Sequence, residues 1–315
     1  MVREICRKNV FGKVSLSLQL AMPKKEVYEK FCVDGSEHFR IGRFENDIED
    51  IYDDKEDYKK QLRAITKQID LRQQMMYAHD RYSMLLVFQA MDAAGKDGTI
   101  RRVVSGVDPH GVEVRSYKKP SDDELDHDFL WRTSKDLPRR GNLTVFNRSY
   151  YEEVLICQVH PEIVTKYQRV PEELTGNLGV LWEGRYQSIR DHEEHLARNG
   201  TRVLKFFLNV SKEEQRRRFI DRIDSEEKNW KFNEGDVAER AYWDDYMDAY
   251  QDTINATACE AAPWHVVPAD DKMNMRLIVA QIVLDEMNKL DLEYPQVSDE
   301  RKESLEGFRK DLLSE

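Results

Sequence analysis

Cysteine and long apolar runs are both scarce in this sequence. The 315 residues include four cysteines, which lie far apart at Cys6, Cys32, Cys157 and Cys259. Because none of them forms a Cys-x-x-Cys pair, they fit neither a zinc ribbon nor a disulfide framework, and we expect a cytoplasmic protein. The longest apolar stretch, Leu277 to Leu284, is far shorter than the roughly 20 residues that span a bilayer. These absences exclude an integral membrane protein.

Positive charge is also in short supply. Lys and Arg number 49 against 60 Asp and Glu, which gives a formal net charge of −11. This balance excludes a protein that coats nucleic acid through bulk charge, and it leaves room for a local basic groove that holds a small or linear polyanion. The sequence lacks internal repeats and low-complexity linkers, so we expect one main domain.

Apolar runs of strand length alternate with helical patterns along the chain. Ser83–Ala90 is continuously apolar, as in a central strand covered on both faces, and steps of three and four between Tyr58 and Met76 predict a helix that ends near Asp80. Further strands are predicted at Val112–Tyr117, Leu143–Asn147, Arg202–Val210 and Trp264–Pro268, and further helices at Thr99–Val107, Ser121–Lys135, Trp182–Arg198, Asn274–Leu290 and from Ser211. This alternation predicts an α/β fold with a parallel sheet flanked by helices.

The two ends of the chain differ from the middle. Residues 1–50 show no sustained period, and we interpret them as an N-terminal extension that packs on the main domain or is partly mobile. Residues 51–292 form the predicted main domain. The tail at 293–315 carries charges of both signs and is predicted to form one surface helix.

The most informative segment joins the first strand to the next helix. A buried strand leads into a loop of small residues, then Gly-Lys, then a helix, which is the arrangement of a phosphate loop. Lys96 supplies a positive charge, and backbone N–H groups approach phosphate oxygens where side chains are small. The loop residues concerned are Ala93, Ala94, Gly95 and Gly98. The alternative interpretation is a tight strand-to-helix turn with a solvated lysine.

The loop departs from the full phosphate-loop pattern at two positions. Ala90 stands where the pattern has Gly, and Asp97 stands where it has Ser or Thr. The missing hydroxyl normally contacts Mg²⁺, so the metal needs another ligand. Asp92 is the first candidate and Asp97 is the second.

A second candidate segment follows the strand at Leu143–Asn147. Asn147 and Arg148 stand at its carboxyl end, where residues of a parallel α/β sheet face the ligand crevice. An arginine fork matches phosphate geometry, so Arg148 is a candidate to stabilise phosphoryl oxygens. The alternative is an arginine that pairs with a nearby carboxylate.

A third segment, from Ser211 to Asp236, is basic in an otherwise acidic chain. It contains Arg216, Arg217, Arg218, Arg222, Lys228 and Lys231. Positions 218 and 222 share one helix face, and the segment suggests a lid, at about 211–245, that closes over a polyanion. On charge alone, a solvated helix face remains the alternative.

Together these segments resemble a known family. The motifs are AMDAAGKDGTI (90–100), SGVDPHGVEVRSYKKP (105–120), LDHDFLWR (125–132), VFNRSYYEEVL (145–155), KNWKF (228–232) and APWHVVPADDK (262–272). In unbroken order from about residue 55 to 290, they resemble the second family of polyphosphate kinases.

The resemblance implies a phosphate-loop kinase fold with a helical lid, and Mg²⁺-dependent transfer of a phosphoryl group between inorganic polyphosphate and a nucleotide, with Mn²⁺ as an alternative metal. It implies that Lys96 holds the transferring phosphate, that Asp92 organises the metal and that Arg148 contacts phosphates. Arg222 and Lys231 would act from the lid. Arg132, in the LDHDFLWR motif, and Asn147 would bind phosphate or nucleotide. The resemblance also suggests a homo-oligomer, either a dimer or a tetramer.

The sequence also bears on which nucleotide accepts the phosphoryl group. Many family members have Asp where this chain has Asn147, and the FNRSYYE sequence resembles the subclass that accepts AMP as well as ADP. We therefore expect AMP to be converted to ADP and ADP to ATP, with the preference between adenine and guanine nucleotides left open. The alternatives are an ADP-only polyphosphate kinase, an ATP-dependent nucleotide or small-molecule kinase, and a catalytically silent sensor of nucleotide or polyphosphate.

Overall fold

The computed structural model describes residues 26–227 and 229–315. Its strands are β1 (Cys32–Val33), β2 (Ser83–Gln89), β3 (Val112–Ser116), β4 (Leu143–Asn147), β5 (Thr201–Asn209) and β6 (Trp264–Pro268). These six strands form one sheet in the order β1-β6-β5-β2-β4-β3. Every neighbouring pair from β6 to β3 is parallel, and β1 runs antiparallel to β6. The expected all-parallel sheet is therefore closed at one edge by a short antiparallel strand.

Helices cover the sheet and extend beyond it. They are α1 (Glu26–Glu29), α2 (Lys55–His79), α3 (Lys96–Val103), α4 (Asp122–Leu125), α5 (Trp131–Ser134), α6 (Ile156–Val159), α7 (Glu172–Thr175), α8 (Leu178–Arg198), α9 (Lys212–Asp224), α10 (Glu234–Ala238), α11 (Trp243–Thr257), α12 (Lys272–Lys289) and α13 (Asp299–Ser314). Short 3-10 turns lie at Ile41–Arg43, Pro109–Gly111, Tyr150–Glu153, Asn229–Lys231 and Glu239–Tyr242, and a π-helical turn at Ile163–Tyr167. No helix in the described ranges is both long enough and apolar enough to cross a membrane.

The central strands are buried on both faces, as their continuous apolar sequence predicts. Every residue of β2 is buried, and Phe88 stacks on Phe206 of β5 with ring centroids 4.8 Å apart. The long helices follow their capping signals. The Asp54 side chain accepts hydrogen bonds from the N–H groups of Glu56 and Asp57 at the start of α2.

Two predicted helices have different limits in the structure. α3 begins at Lys96 instead of Thr99, because Gly95 adopts a positive φ of 109° and turns the chain directly into the helix. It ends at Val103, ahead of the predicted Val107 and of Gly106, whose φ is 93°.

The predicted helix from Ser121 to Lys135 is two short turns, α4 and α5. The capping box at Ser121 is present, with the Glu124 carboxylate accepting from the Ser121 N–H at 2.8 Å. The Asp128 carboxylate then accepts from the Leu130 N–H at 2.9 Å, and this local bond competes with a continuous helix.

The expected extension at residues 1–50 is described from residue 26 onward, and this part packs on the sheet. Phe31, Val33 and Phe39 are buried in the main core. β1 joins the sheet through Cys32 and Val33, which pair with His265 and Trp264. At the other end of the chain, α13 is exposed along its whole length, as a surface helix should be.

Candidate active site

The phosphate loop, residues 90–95, joins the end of β2 at Gln89 to the start of α3 at Lys96. Gly95 adopts its positive φ where an added Cβ would lie 3.2 Å from the Met275 side chain, so the backbone passes close to α12. Ala93 also has a positive φ, of 60°. The N–H groups of the first turn of α3 have no partner within their helix and carry the positive end of its dipole. The loop therefore has the backbone of an anion-binding site.

Lys96 lies inside this loop. Its Nζ donates to the carbonyl oxygens of Ala90 at 2.6 Å and Met91 at 3.3 Å. Burial, and then the neighbouring Arg148 guanidinium, lowers the pKa of the Lys96 ammonium. A cation held in this way is close to the site where the loop would hold phosphate.

Arg148 meets the loop because β4 runs parallel to β2, with Asn147 opposite Phe88. The Arg148 N–H donates to the Phe88 carbonyl at 3.0 Å and the residue has a positive φ of 63°. Its guanidinium donates to the Asp92 carboxylate at 2.8 Å and lies 3.4 Å from that of Glu152. The Glu152 carboxylate, followed by that of Asp92, outweighs burial and raises the pKa of Arg148. The carboxylate pairing expected as an alternative is thus present, at the same place as the loop.

Two further residues of the candidate site, Asp97 and Asn147, contact each other. The Asn147 amide donates to the Asp97 carboxylate at 2.7 Å. Both carboxylates therefore accept a hydrogen bond from a residue at the end of β4, but only Asp92 lines the cavity. This geometry separates the two candidate metal ligands that the sequence left open.

The cavity has a volume of about 330 Å³ and lies between the phosphate loop and the predicted lid. Four carboxylates line it, those of Asp92, Glu152, Asp236 and Glu239, together with the guanidinium groups of Arg148 and Arg240 and the rings of Tyr246 and Tyr250. Sequence reasoning missed the two tyrosines, because their helical spacing is typical of core packing.

The oxygen donors in this cavity suit a hard divalent cation. Burial, and then the nearby Asp92 carboxylate, raises the pKa of Asp236, so two acids repel each other across the cavity. Among the described residues no group of three or more His, Cys, Asp or Glu is arranged to hold a metal ion. Mg²⁺ in phosphoryl-transfer sites is usually held by one or two carboxylates and completes its shell with substrate oxygens and water.

Arg218 holds the loop from the side of α9, and it was not among the residues predicted to form the site. Its guanidinium donates to the carbonyl oxygens of Ala93 at 3.1 Å and Ala94 at 2.6 Å, and to those of Ala269 at 2.6 Å and Asp270 at 2.9 Å. With these carbonyl groups occupied, the loop is tied to the end of β6. The sequence signals for Arg218 were its place in a basic triplet and the helix face that it shares with Arg222.

The structure places only some of the predicted lid residues beside the cavity. Arg222 lies 3.5 Å from the Asp236 carboxylate, so it reaches the edge of the cavity. The basic triplet is largely neutralised, because Arg216 pairs with Glu213, and Arg217 and Arg218 both pair with Glu214. Lys228 and the side chain of Lys231 lie outside the part of the chain that the structure describes.

Arg132 is separate from the loop and lines a second cavity of about 160 Å³. Its side chain is buried beside the Tyr117 ring and donates to the Lys118 carbonyl at 2.9 Å. The Nε of Arg132 has no hydrogen-bond partner among the described residues. Glu153 and Arg185 also line this cavity.

A parallel sheet with a phosphate loop after one strand and an arginine after its neighbour defines a phosphate-loop kinase. Residues 52–295 match the family described as Polyphosphate kinase 2 (PPK2). This chain belongs to that family, as its sequence motifs indicated, and it is a kinase.

Individual proteins support this assignment over nearly the whole chain. The "ADP-polyphosphate phosphotransferase" of Rhodopseudomonas palustris is 50% identical over 286 residues, which are 90% of this chain and 98% of that protein. The "AMP/ADP-polyphosphate phosphotransferase" of Meiothermus ruber is 39% identical over 269 residues, which are 85% of this chain and 96% of that one. The crystal structure of Polyphosphate Kinase 2 from Arthrobacter aurescens TC1 is 38% identical, covers 88% of this chain and 95% of that chain, and has a TM-score of 0.77.

Proposed function

We propose that this chain transfers the terminal phosphoryl group of inorganic polyphosphate to AMP and ADP, in a reversible reaction that depends on Mg²⁺. The observation that carries the proposal is the meeting of Lys96, Asp92 and Arg148 at the carboxyl ends of β2 and β4. The names of two relatives, which include polyphosphate and the acceptors ADP or AMP/ADP, support the choice of substrates.

The reaction requires in-line positioning and neutralised oxygens more than covalent chemistry by the protein. Lys96 and the N–H groups at the start of α3 hold the transferring phosphate, and Arg148 contacts its oxygens with a planar fork. The Glu152 carboxylate keeps the guanidinium of Arg148 oriented toward the loop. We assign phosphate or nucleotide contacts to Ala93, Ala94, Gly95, Asp97, Gly98, Arg132, Asn147, Arg222 and Lys231.

Asp92 is the residue that we assign to the metal. Mg²⁺, or Mn²⁺ in its place, neutralises phosphate charge when it is bound. The carboxylate of Asp92 faces the cavity, whereas that of Asp97 accepts a hydrogen bond from Asn147. This difference supports Asp92 over Asp97.

Residues 211–245 act as the lid in this proposal. α9 and α10 lie on the far side of the cavity from β2, and the Arg222–Asp236 pair joins them. Lid motion would carry Arg222 and Lys231 toward the phosphates.

Arg132 is proposed to bind the nucleotide. It lies in the second cavity, its Nε has no partner among the described residues, and a buried guanidinium with an unused donor favours an anionic or carbonyl-bearing ligand. Adenine nucleotides are the proposed acceptors, and guanine nucleotides are a second base to compare.

We further propose a domain at 51–292, preceded by an extension at 1–50 and followed by a helical tail at 293–315. We propose a cytoplasmic homo-oligomer, dimer or tetramer, with no nucleic-acid or membrane partner. The described cysteines Cys32, Cys157 and Cys259 are free thiols, which suits a reducing compartment. Light scattering on a sizing column measures the number of subunits.

The central experiment is chromatography of nucleotides after the protein is mixed with AMP, long-chain polyphosphate and Mg²⁺. We expect ADP and then ATP from the wild type. Lys96→Ala should lose about 100- to 1,000-fold in turnover, since charge that acts mainly in the transition state is removed. An unchanged thermal midpoint of Lys96→Ala shows that the loss is chemical.

The other outcomes identify the alternatives. Consumption of ADP with AMP untouched would restrict the acceptor to ADP. Tight polyphosphate binding without product from either nucleotide would indicate a sensor. A faster reaction when ATP replaces polyphosphate as the donor would indicate an ATP-dependent kinase and contradict the proposal.

A further inference from the structure

The cavity beneath the lid is poorly suited to the length of a polyphosphate chain. Its four carboxylates outnumber its two guanidinium groups. The basic triplet of α9, which the sequence analysis assigned to the lid, is paired with Glu213 and Glu214. A polyanion whose end is held in the loop needs unpaired positive charge elsewhere.

Unpaired positive charge lies on the opposite side of the loop, where α12 packs against α3. Lys272 and Arg276 are one helical turn apart on α12. Arg276 approaches the first turn of α3 closely, because a Cβ added to Gly98 would lie 3.2 Å from its Nη2. The Nε of Arg276 is shielded from solvent and has no hydrogen-bond partner within the described residues.

Lys272 belongs to the same cluster of charges. Burial, and then the Arg218 guanidinium, lowers the pKa of its ammonium, and Arg276 lowers it further, while the carboxylates of Glu214 and Asp221 oppose this shift. Neither Lys272 nor Arg276 forms an ion pair with a carboxylate in the described part of the chain, although both stand beside the loop that Arg218 supports. Because no described carboxylate lies within ion-pair distance of Lys272 or Arg276, an anion bound between them would stabilise the cluster.

The cluster continues along α3. Arg101 and Arg102 are three and four positions after Gly98, so they lie on the helix face that Gly98 presents to Arg276. Both side chains are exposed. Across the described ranges they too form no ion pair with a carboxylate.

We propose that Lys272, Arg276, Arg101 and Arg102 form an exit track for the donor, along which the polyphosphate chain leaves the phosphate loop across Gly98. The inference rests on the proposed function and specifies where the distal phosphates of its donor bind. A short donor such as tripolyphosphate occupies the loop alone, and a long chain also occupies the track. Chain-length preference is therefore set on the α3–α12 face and not beneath the lid.

The test compares Lys272→Gln/Arg276→Gln with the wild type, using long-chain polyphosphate and tripolyphosphate. Binding is measured directly, without nucleotide or metal, over a range of salt concentrations, and the KM for each donor is measured separately. Arg301→Gln on the exposed helix α13, which has no ion pair among the described residues, controls for the loss of a surface charge.

We expect the double variant to bind long chains about tenfold more weakly, with the salt slope reduced by about 1 for each cation removed. Its KM for tripolyphosphate should stay within about twofold, while Arg301→Gln resembles the wild type with both donors. Equal losses for long and short donors, or no loss for either, would overturn the track. Because direct binding needs no turnover, absence of any phosphoryl transfer by the wild type would contradict the proposed function and still leave the track measurable.

Discussion

Two residues without glycine's freedom adopt positive φ angles at the candidate active site: Ala93 at 60° and Arg148 at 63°. Such a conformation costs about 1–3 kcal/mol and persists only where the surroundings fix it. Arg218 binds the Ala93 carbonyl, and the Phe88 carbonyl accepts from the Arg148 N–H. The sequence predicted the importance of Arg148 from its place after a strand, but neither residue type signals a left-handed backbone.

Asp92→Asn tests the metal assignment at the residue scale. We expect the Mg²⁺ concentration for half-maximal rate to rise at least about tenfold, because a neutral amide is a weaker ligand for a hard cation. Asp97→Asn is the matched control, since its carboxylate accepts from Asn147 and does not line the cavity. A larger rise for Asp97→Asn than for Asp92→Asn would show that the metal binds Asp97, on α3, and not Asp92.

His265 predicts a pH dependence of stability. The ring is buried in β6, both nitrogens lack partners among the described residues, and burial lowers its pKa from 6.5 to about 4. The unfolded chain therefore binds this proton near pH 6.5 and the folded chain only near pH 4, so stability falls as the pH drops through that window. The full effect is about 3 kcal/mol.

Urea unfolding at pH 7 and pH 4.5 measures this dependence. His265→Phe should reduce the loss of unfolding free energy between the two pH values, since the variant cannot take up the proton. His195→Phe, on an exposed part of α8, should keep the wild-type loss. An identical loss in all three proteins would show that His265 does not contribute.

At the scale of elements, the sequence predicted the central strands well and their connections less well. The run of β2 is apolar enough to indicate burial on both faces, and β4, β5 and β6 are mainly apolar segments of strand length. The contact of Arg218 on α9 with the phosphate-loop carbonyls, which we call the clamp, could not be predicted from the sequence. Three adjacent arginines offer no local signal of which side chain is buried. Only the fold shows that Arg218 is buried and that Arg216 remains on the surface.

Arg218→Lys tests the clamp between elements. A lysine supplies one point charge and cannot bridge two pairs of carbonyl groups as a guanidinium fork does. We expect kcat to fall about tenfold or more, through misplacement of the loop. Arg216→Lys, which alters only a surface pair with Glu213, should retain the wild-type kcat. Equal kcat values for the two variants would reject the clamp.

A buried ion pair joins β5, α8 and the segment after Arg148. Lys205 Nζ donates to the Glu193 carboxylate at 2.6 Å, and the hydroxyls of Tyr150 and Tyr151 donate to the same carboxylate at 2.8 Å each. Burial lowers the pKa of the Lys205 ammonium, and Glu193 opposes that shift. The pair therefore depends on both partners.

Glu193→Gln should destabilise the protein by about 3–5 kcal/mol, because it leaves the Lys205 ammonium buried without a counter-charge. Glu193→Gln/Lys205→Met should recover part of that loss, since no isolated charge remains. Urea unfolding free energies of the wild type and both variants provide the measurement. A double variant less stable than the single one would contradict this explanation.

At the scale of the whole molecule, sequence and structure agree on an α/β fold, and the sheet includes residues that precede the family match. Residues 52–295 match the family, yet the described chain is folded onto the sheet from well before that point. β1 escaped sequence analysis because a strand of two residues is too short to show a period. Its position follows from contacts distant in sequence, including the Val266 N–H, which donates to the Phe31 carbonyl at 2.8 Å.

A chain shortened to residues 51–315 removes this strand and exposes the outer edge of β6. Unpaired N–H and C=O groups along an apolar strand recruit strands of other molecules. We expect the shortened chain to aggregate at concentrations at which residues 26–315 stay monodisperse by light scattering. If both chains stay monodisperse, β1 does not protect the edge.

We therefore expect the two residues of β1 to set how readily this protein aggregates at high concentration. A strand this short contributes little pairing energy, so brief local opening would offer the β6 edge to any neighbour with a matching segment. Because β1 lies at the edge of the sheet and not beside the phosphate loop, we expect changes in β1 to alter solubility without altering catalysis. A variant that loosens β1 would fail first on storage and at high concentration, while its dilute, freshly prepared form remained fully active.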